Sequence, residues 1–119
     1  MAQMTDPREL WTAAVHEGKR RAENCRPMPM GVMEGDRLIE VVEDGVCGFA
    51  WVNIRPARGP LVKWLKANNI GRTDSYAGGY TIWCGGYNQS MTRKAAWAYG
   101  VADVLTANGV TAYAHSRMD

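Results

Sequence analysis

The run from Val46 to Ile54, VCGFAWVNI, constrains the fold of this chain more than any other stretch. Val46, Gly48, Ala50, Val52 and Ile54 fall on one side of an extended segment and Cys47, Phe49 and Trp51 on the other, so a strand here is apolar on both faces. Such a strand belongs in the middle of a sheet. The preceding run from Arg37 to Glu43 reads as a second strand. Asp44-Gly45 between them is a hairpin signal, because both residues tolerate the positive φ of a type I′ turn.

Caps and breakers divide the rest of the chain. Thr5 or Asp6 before Pro7 starts a helix that runs to Asn24, with Leu10, Trp11, Ala14, Val15 and Ala22 on its apolar stripe. Pro27 and Pro29 break helicity, so the methionine-bearing stretch from Cys25 to Asp36 is extended and leads into a Gly35-Asp36 turn. Gly59-Pro60 opens a second helix that buries Leu61, Trp64 and Leu65 and stops near Asn69. GYTIWC, 79–84, is a short strand. Ser90 caps the longest helix, which ends at Asn108-Gly109, and VTAYAHSR, 110–117, closes the chain as a strand. That last helix is apolar around more than half its circumference and carries Gly100 at its middle, so something approaches it closely.

The order helix, hairpin, helix, strand, helix, strand predicts an α+β fold: a mixed β-sheet of about four strands, a hairpin plus crossover strands, packed against about three helices. Its 119 residues, 46% hydrophobic, suit one domain with one core, 1–119, with the N-terminal helix at 5–24 and the sheet and other helices at 37–117.

Three widely spaced cysteines, Cys25, Cys47 and Cys84, form no CxxC and no even-numbered framework, which points to a reducing compartment. The charged N-terminus is neither a signal peptide nor a membrane span, and the expected location is the cytoplasm. A net charge of +2 does not by itself argue for nucleic acid. However, Lys and Arg outnumber Asp and Glu in residues 61–119 while residues 1–60 are slightly acidic, so an anionic ligand meets the C-terminal half first.

Candidate binding residues cluster in GRTDSYAGGYTIWCGGYNQSMTRK, 71–94. A strand ending at Cys84, then Gly85-Gly86 and the polar residues Tyr87, Asn88 and Gln89, delivers the chain to a helix N-terminus at Ser90, where backbone N–H groups can hold an anion. Arg93 and Lys94 oppose the helix dipole in the first turn, and an anionic partner would supply a reason for them. If strands 79–84 and 110–116 run the same way, His115 and Arg117 end beside that loop. Arg72, Asp74 and Ser75 lie at the far end of the short strand and form a second loop, separate from the first. A βα turn with its cap and solvated strand ends would produce the same pattern without any ligand.

Catalysis has thinner support. Cys47 or Cys84 as a nucleophile would need His115 beside it, and Ser75 or Ser116 with His115 makes a triad only by arithmetic. The Cys and His spacings suit no zinc site, and no metal or cofactor is expected. Arg55, Arg58, Lys63, Lys66, Arg72, Arg93, Lys94 and Arg117, interleaved with Trp64, Tyr76 and Tyr87, combine phosphate contacts with stacking surfaces.

At GVCGFAWVNIRP, TDSYAGGYTIW, YNQSMTRKAAWA and AYAHSRMD the chain resembles small proteins of unassigned function carried by tailed bacteriophages of actinobacteria, over about residues 44–119. The resemblance implies a phage accessory protein in the host cytoplasm and no assigned activity. The expected function is therefore binding of a macromolecular partner, a host or phage protein or a nucleic acid, without a membrane and with helix 90–108 as a surface for self-association. The alternative is a small-molecule or nucleotide site, enzymatic or not, at the 85–90 loop and the C-terminal strand.

Overall fold

The computed structural model describes residues 3–25, 30–34, 37–42, 47–87 and 90–118. In chain order they form α1 (Pro7–Asn24), β1 (Met30–Glu34), β2 (Arg37–Val42), β3 (Gly48–Ile54), α2 (Pro60–Ala67), β4 (Arg72–Thr73), β5 (Tyr80–Trp83), α3 (Met91–Ala107) and β6 (Ala112–Met118). The fold is α+β, with three helices and a four-stranded sheet ordered β4-β5-β3-β6. Every ladder in that sheet is antiparallel.

β3 is central, as its two apolar faces require, with β5 on one edge and β6 on the other. Both of its edges are thereby taken, and β2 pairs instead with β1 in a separate antiparallel hairpin. The Asp44-Gly45 turn expected to join β2 to β3 lies outside the described residues. So does the Gly35-Asp36 turn.

Each helix begins where its caps place it. Asp6 accepts from the backbone N–H groups of Arg8 (2.9 Å) and Glu9 (3.4 Å), with Pro7 at the first helical position. Ser90 caps α3 by accepting from Arg93 N at 3.2 Å. α2 starts at Pro60 after Gly59.

α3 lies across one face of the sheet, over β3 and β6, and α1 packs on α3. The core joins Ala50, Val52, Ile54, Tyr80, Ile82 and Ala112 of the sheet to Ala98, Val101, Ala102 and Leu105 of α3, with α1 and α2 contributing Leu10, Trp11, Ala14, Leu61, Val62 and Leu65. Because α3 is covered on both sides, its apolar arc is broad. The close approach at Gly100 is intramolecular: a Cβ there would stand 2.8 Å from Gly18 Cα, where α1 crosses α3. The face of helix 90–108 that holds its glycine is thus occupied by α1.

Candidate functional site: the open face of the sheet

Alternation along β3 puts Ala50, Val52 and Ile54 under the helices and sends Phe49, Trp51 and Asn53 to the opposite face. Register carries the same parity into the neighbouring strands. Trp51 pairs with Trp83 on one side and His115 on the other, Phe49 with Arg117, and Asn53 with Thr81 and Tyr113. Arg72, opposite Thr81, extends the last row to the β4 edge.

The middle row is aromatic across three strands. Trp51 and Trp83 have ring centroids 4.6 Å apart at 37°, and Trp51 and His115 lie 5.6 Å apart at 20°. Phe49 meets Trp83 edge-on at 6.2 Å. Two cations flank Phe49, with Arg117 Cζ 5.6 Å and Lys94 Nζ 5.5 Å from its ring centroid. Trp83 and Tyr113 are 42% and 51% exposed, and His115 and Arg117 are exposed, so the platform is open to a ligand.

At the other end of this face a loop folds down on buried Asn53. Asn53 Nδ2 donates to Gly78 O (3.0 Å) and to Thr81 Oγ1 (3.1 Å), while Arg55 Nε donates to Asn53 Oδ1 (2.8 Å) and its Nη2 to Ala77 O (2.7 Å). Gly79 makes the approach feasible, since a Cβ at that position would fall 2.5 Å from Asn53 Oδ1. Asp74 shapes the loop from within. Its Oδ1 accepts from Tyr76 N and Ala77 N, both at 2.9 Å, and these bonds hold its carboxyl below the usual range. The turn leaves Tyr76 99% exposed at the tip, with Ser75 exposed beside it.

Charge on this face is mainly positive. Every ion pair among the described residues lies within α1 or between α1 and α3: Lys19–Glu23, Arg20–Glu17, Arg21–Glu17 and Arg21–Asp103. Arg55, Arg72 and Arg117 make none among the described residues. Asp74 at the rim is bonded within its own turn through Oδ1, and its carboxylate also feels the charges of Arg72 and Arg55.

The residues singled out in the sequence divide between the two faces. β5 and β6 both run antiparallel to β3, so they point the same way and their C-terminal ends do meet one edge of the sheet. His115 and Arg117 stand there on the open face, and Arg72 lies on that face too. Ser90 is buried, its hydroxyl spent on the helix cap. Arg93 Nη1 donates to Ala22 O at 3.0 Å, and Lys94, also buried, donates to Gly48 O at 3.2 Å. These two cations at the start of α3 therefore have internal reasons: one serves the last turn of α1, the other the start of β3. Tyr87 is half-buried at φ 57°, and its hydroxyl is pushed up by burial and by Cys84 and Glu23. Asn88 and Gln89 lie outside the described residues.

Cys84 and His115 do not pair, and Cys47 lies four residues along the chain from Trp51, the residue opposite His115. Trp83 points to the open face, so Cys84 points away from it, and burial pushes its thiol up to about 11. Ser116 adjoins His115 in the strand and for the same reason faces the other way. Among the described residues no three of His, Cys, Asp and Glu converge as a metal site would require, and no helix is long and apolar enough to cross a membrane.

The aromatic platform itself had a sequence signal in Phe49 and Trp51, which alternate with the core residues of β3. What joins them to Trp83 and His115 is strand order and register. The chain matches no family model, no curated protein and no solved structure.

Proposed function

We propose that this protein binds single-stranded nucleic acid on the open face of its sheet. The observation that carries the reading is the row Trp83–Trp51–His115 beside Phe49 and Arg117, on a face whose arginines have no carboxylate partner among the described residues. Unstacked bases lie flat on aromatic rings, and arginines around the rings take the phosphates. In a duplex the bases are already stacked and present only edges, so an aromatic platform favours a single strand. Trp83 and His115 offer the outer stacking faces of the row, Trp51 holds them in line, Phe49 and Tyr113 are its flanks, and Arg117 and Arg72 the backbone contacts. The accessory role implied by the resemblance to phage proteins is compatible with such an activity, because single-stranded intermediates arise whenever a genome is copied or transcribed.

The test is fluorescence anisotropy with a labelled mixed-sequence single strand, as DNA and as RNA, and the matching duplex. Binding of the single strand with quenching of tryptophan emission, weakened in Trp83→Ala and in Arg117→Ala, is the expected result. Absence of any anisotropy change at low salt with every strand type would sink the proposal and leave a protein partner as the occupant of this face.

A further inference from the structure

The sheet has two edges of very different kind. β4 contributes two residues to one edge, whereas β6 contributes seven, Ala112–Met118, to the other. β6 holds no proline, and its register with β3 is unbroken from Met118 to Ala112. A long edge that no strand pairs with among the described residues is the feature that monomeric β proteins usually blunt.

Which backbone groups this edge offers follows from the ladder. Arg55 N donates to Thr111 O at 3.0 Å, so Thr111, Tyr113, His115 and Arg117 direct their N–H and C=O groups at β3. Ala112, Ala114, Ser116 and Met118 therefore direct theirs outward. Thr106 Oγ1 donates to Ala112 O at 3.4 Å, which agrees with that parity and closes one end of the edge. Among the described residues nothing pairs with the outward groups of Ala114, Ser116 and Met118.

We propose that β6 is an assembly edge at which two copies of this chain pair antiparallel, about a two-fold axis through His115, into one continuous eight-stranded sheet. The register is chosen by complementarity. With His115 opposite His115 of the second copy, Ala114 faces Ser116 of that copy, and both have outward backbone groups, so they exchange a reciprocal pair of hydrogen bonds. The same happens once more on the other side of the axis. Arg117 then falls opposite Tyr113 of the second copy, a cation beside an exposed ring rather than beside a like charge. On the helix-bearing side the facing residues, Ala114 and Ser116, are small, so the two helical layers are not forced apart. The row Trp83–Trp51–His115 would continue into its two-fold-related counterpart in the second copy, doubling the length of the aromatic row.

This surface differs from helix 90–108, whose glycine face is filled by α1, and the proposal does not require the nucleic-acid reading. Sedimentation and light scattering at micromolar concentration are expected to give twice the 13.2 kDa chain mass. Ser116→Pro removes one outward N–H and leaves the β3 ladder intact, so a chain with unchanged circular dichroism should run as a monomer. Should that variant misfold, His115→Cys decides the matter. Cysteines facing each other at a non-hydrogen-bonded pair come close enough for a disulfide, so air oxidation should yield a covalent dimer that peptide mapping assigns to 115–115. Tyr113→Cys, whose counterpart is Arg117, should not cross-link to itself. A wild type that keeps the single-chain mass overturns the proposal. So does a dimer in which His115→Cys fails to cross-link.

Discussion

Trp51 and His115 sit opposite each other across the β3–β6 ladder with ring planes 20° apart, and Trp83 continues the surface on the far side of Trp51. Three strands thus supply one row of mutually stacked rings, with Trp51 between Trp83 and His115 and the free faces at its two ends. If a base stacks on it, the exposed Trp83 can be removed without disturbing the core. Trp83→Ala is expected to lose about 1–3 kcal/mol of single-strand affinity, roughly five- to 150-fold, while thermal unfolding stays close to wild type. Titration of a labelled strand against both proteins measures this, and an unchanged affinity would remove Trp83 from the site.

The helix layer makes a separate prediction. Gly18 and Gly100 touch where α1 crosses α3: a Cβ on Gly100 would lie 2.8 Å from Gly18 Cα and 2.9 Å from Gly18 N, and backbone cannot move aside as a flexible side chain can. Gly100→Ala gains about 1 kcal/mol of helix propensity but overpacks the crossing, a cost of about 1–3 kcal/mol or more. The net outcome is a lower urea midpoint. An alanine that stabilises the protein would mean that the helices are not in contact there.

The glycine is also a place where the sequence could be read and its partner could not. Gly100 in a helix with such a broad apolar arc announced a close neighbour, and Thr5 or Asp6 before Pro7, Gly59-Pro60 and Ser90 located the three helix starts. β3 was legible as a central strand from its own alternation. Its second apolar face, however, carries the same residues whether a layer covers it or a ligand does. What makes Phe49 and Trp51 a platform is their pairing with Arg117, Trp83 and His115, which lie more than thirty residues away. Arg93 and Lys94 have partners that the sequence does not show, for a related reason. At the start of a helix they look like anion ligands, and only the tertiary structure shows that Ala22 O and Gly48 O receive them.

Acid should loosen the α1–α3 pair through Glu17. Its carboxylate accepts from Arg20 Nε at 2.7 Å and Arg21 Nε at 2.8 Å, and these bonds, Arg20 first, lower it from 4.5 to about 2. Because the folded value is depressed, the stabilisation is complete above the unfolded value near 4.5 and fades as pH falls toward about 2. Arg21 also reaches Asp103 on α3, so the network ties the two helices together. Glu17→Gln is therefore expected to flatten the decline of the urea midpoint between those two pH values. A variant whose pH profile overlays the wild type would show that the ion pairs are too exposed to matter.

Salt dependence separates phosphate contact from stacking. Each phosphate neutralised on a single strand contributes about −0.7 to the slope of log affinity against log salt. Arg117 beside Phe49 and Arg72 on the β4 edge bracket the aromatic row, and neither has an ion-pair partner among the described residues, so both charges are available to a ligand. Arg117→Ala should weaken binding and make the slope shallower by about 0.7, and Arg72→Ala should do the same if the strand runs diagonally across the sheet to β4. Trp83→Ala should weaken binding with the slope unchanged, because stacking releases no counterions. Arg93→Ala should leave the slope as it is, since that guanidinium is held by Ala22 O on the other side of the sheet. If Arg93 rather than Arg117 controls the slope, the strand binds at the start of α3 and the open face is not where nucleic acid sits.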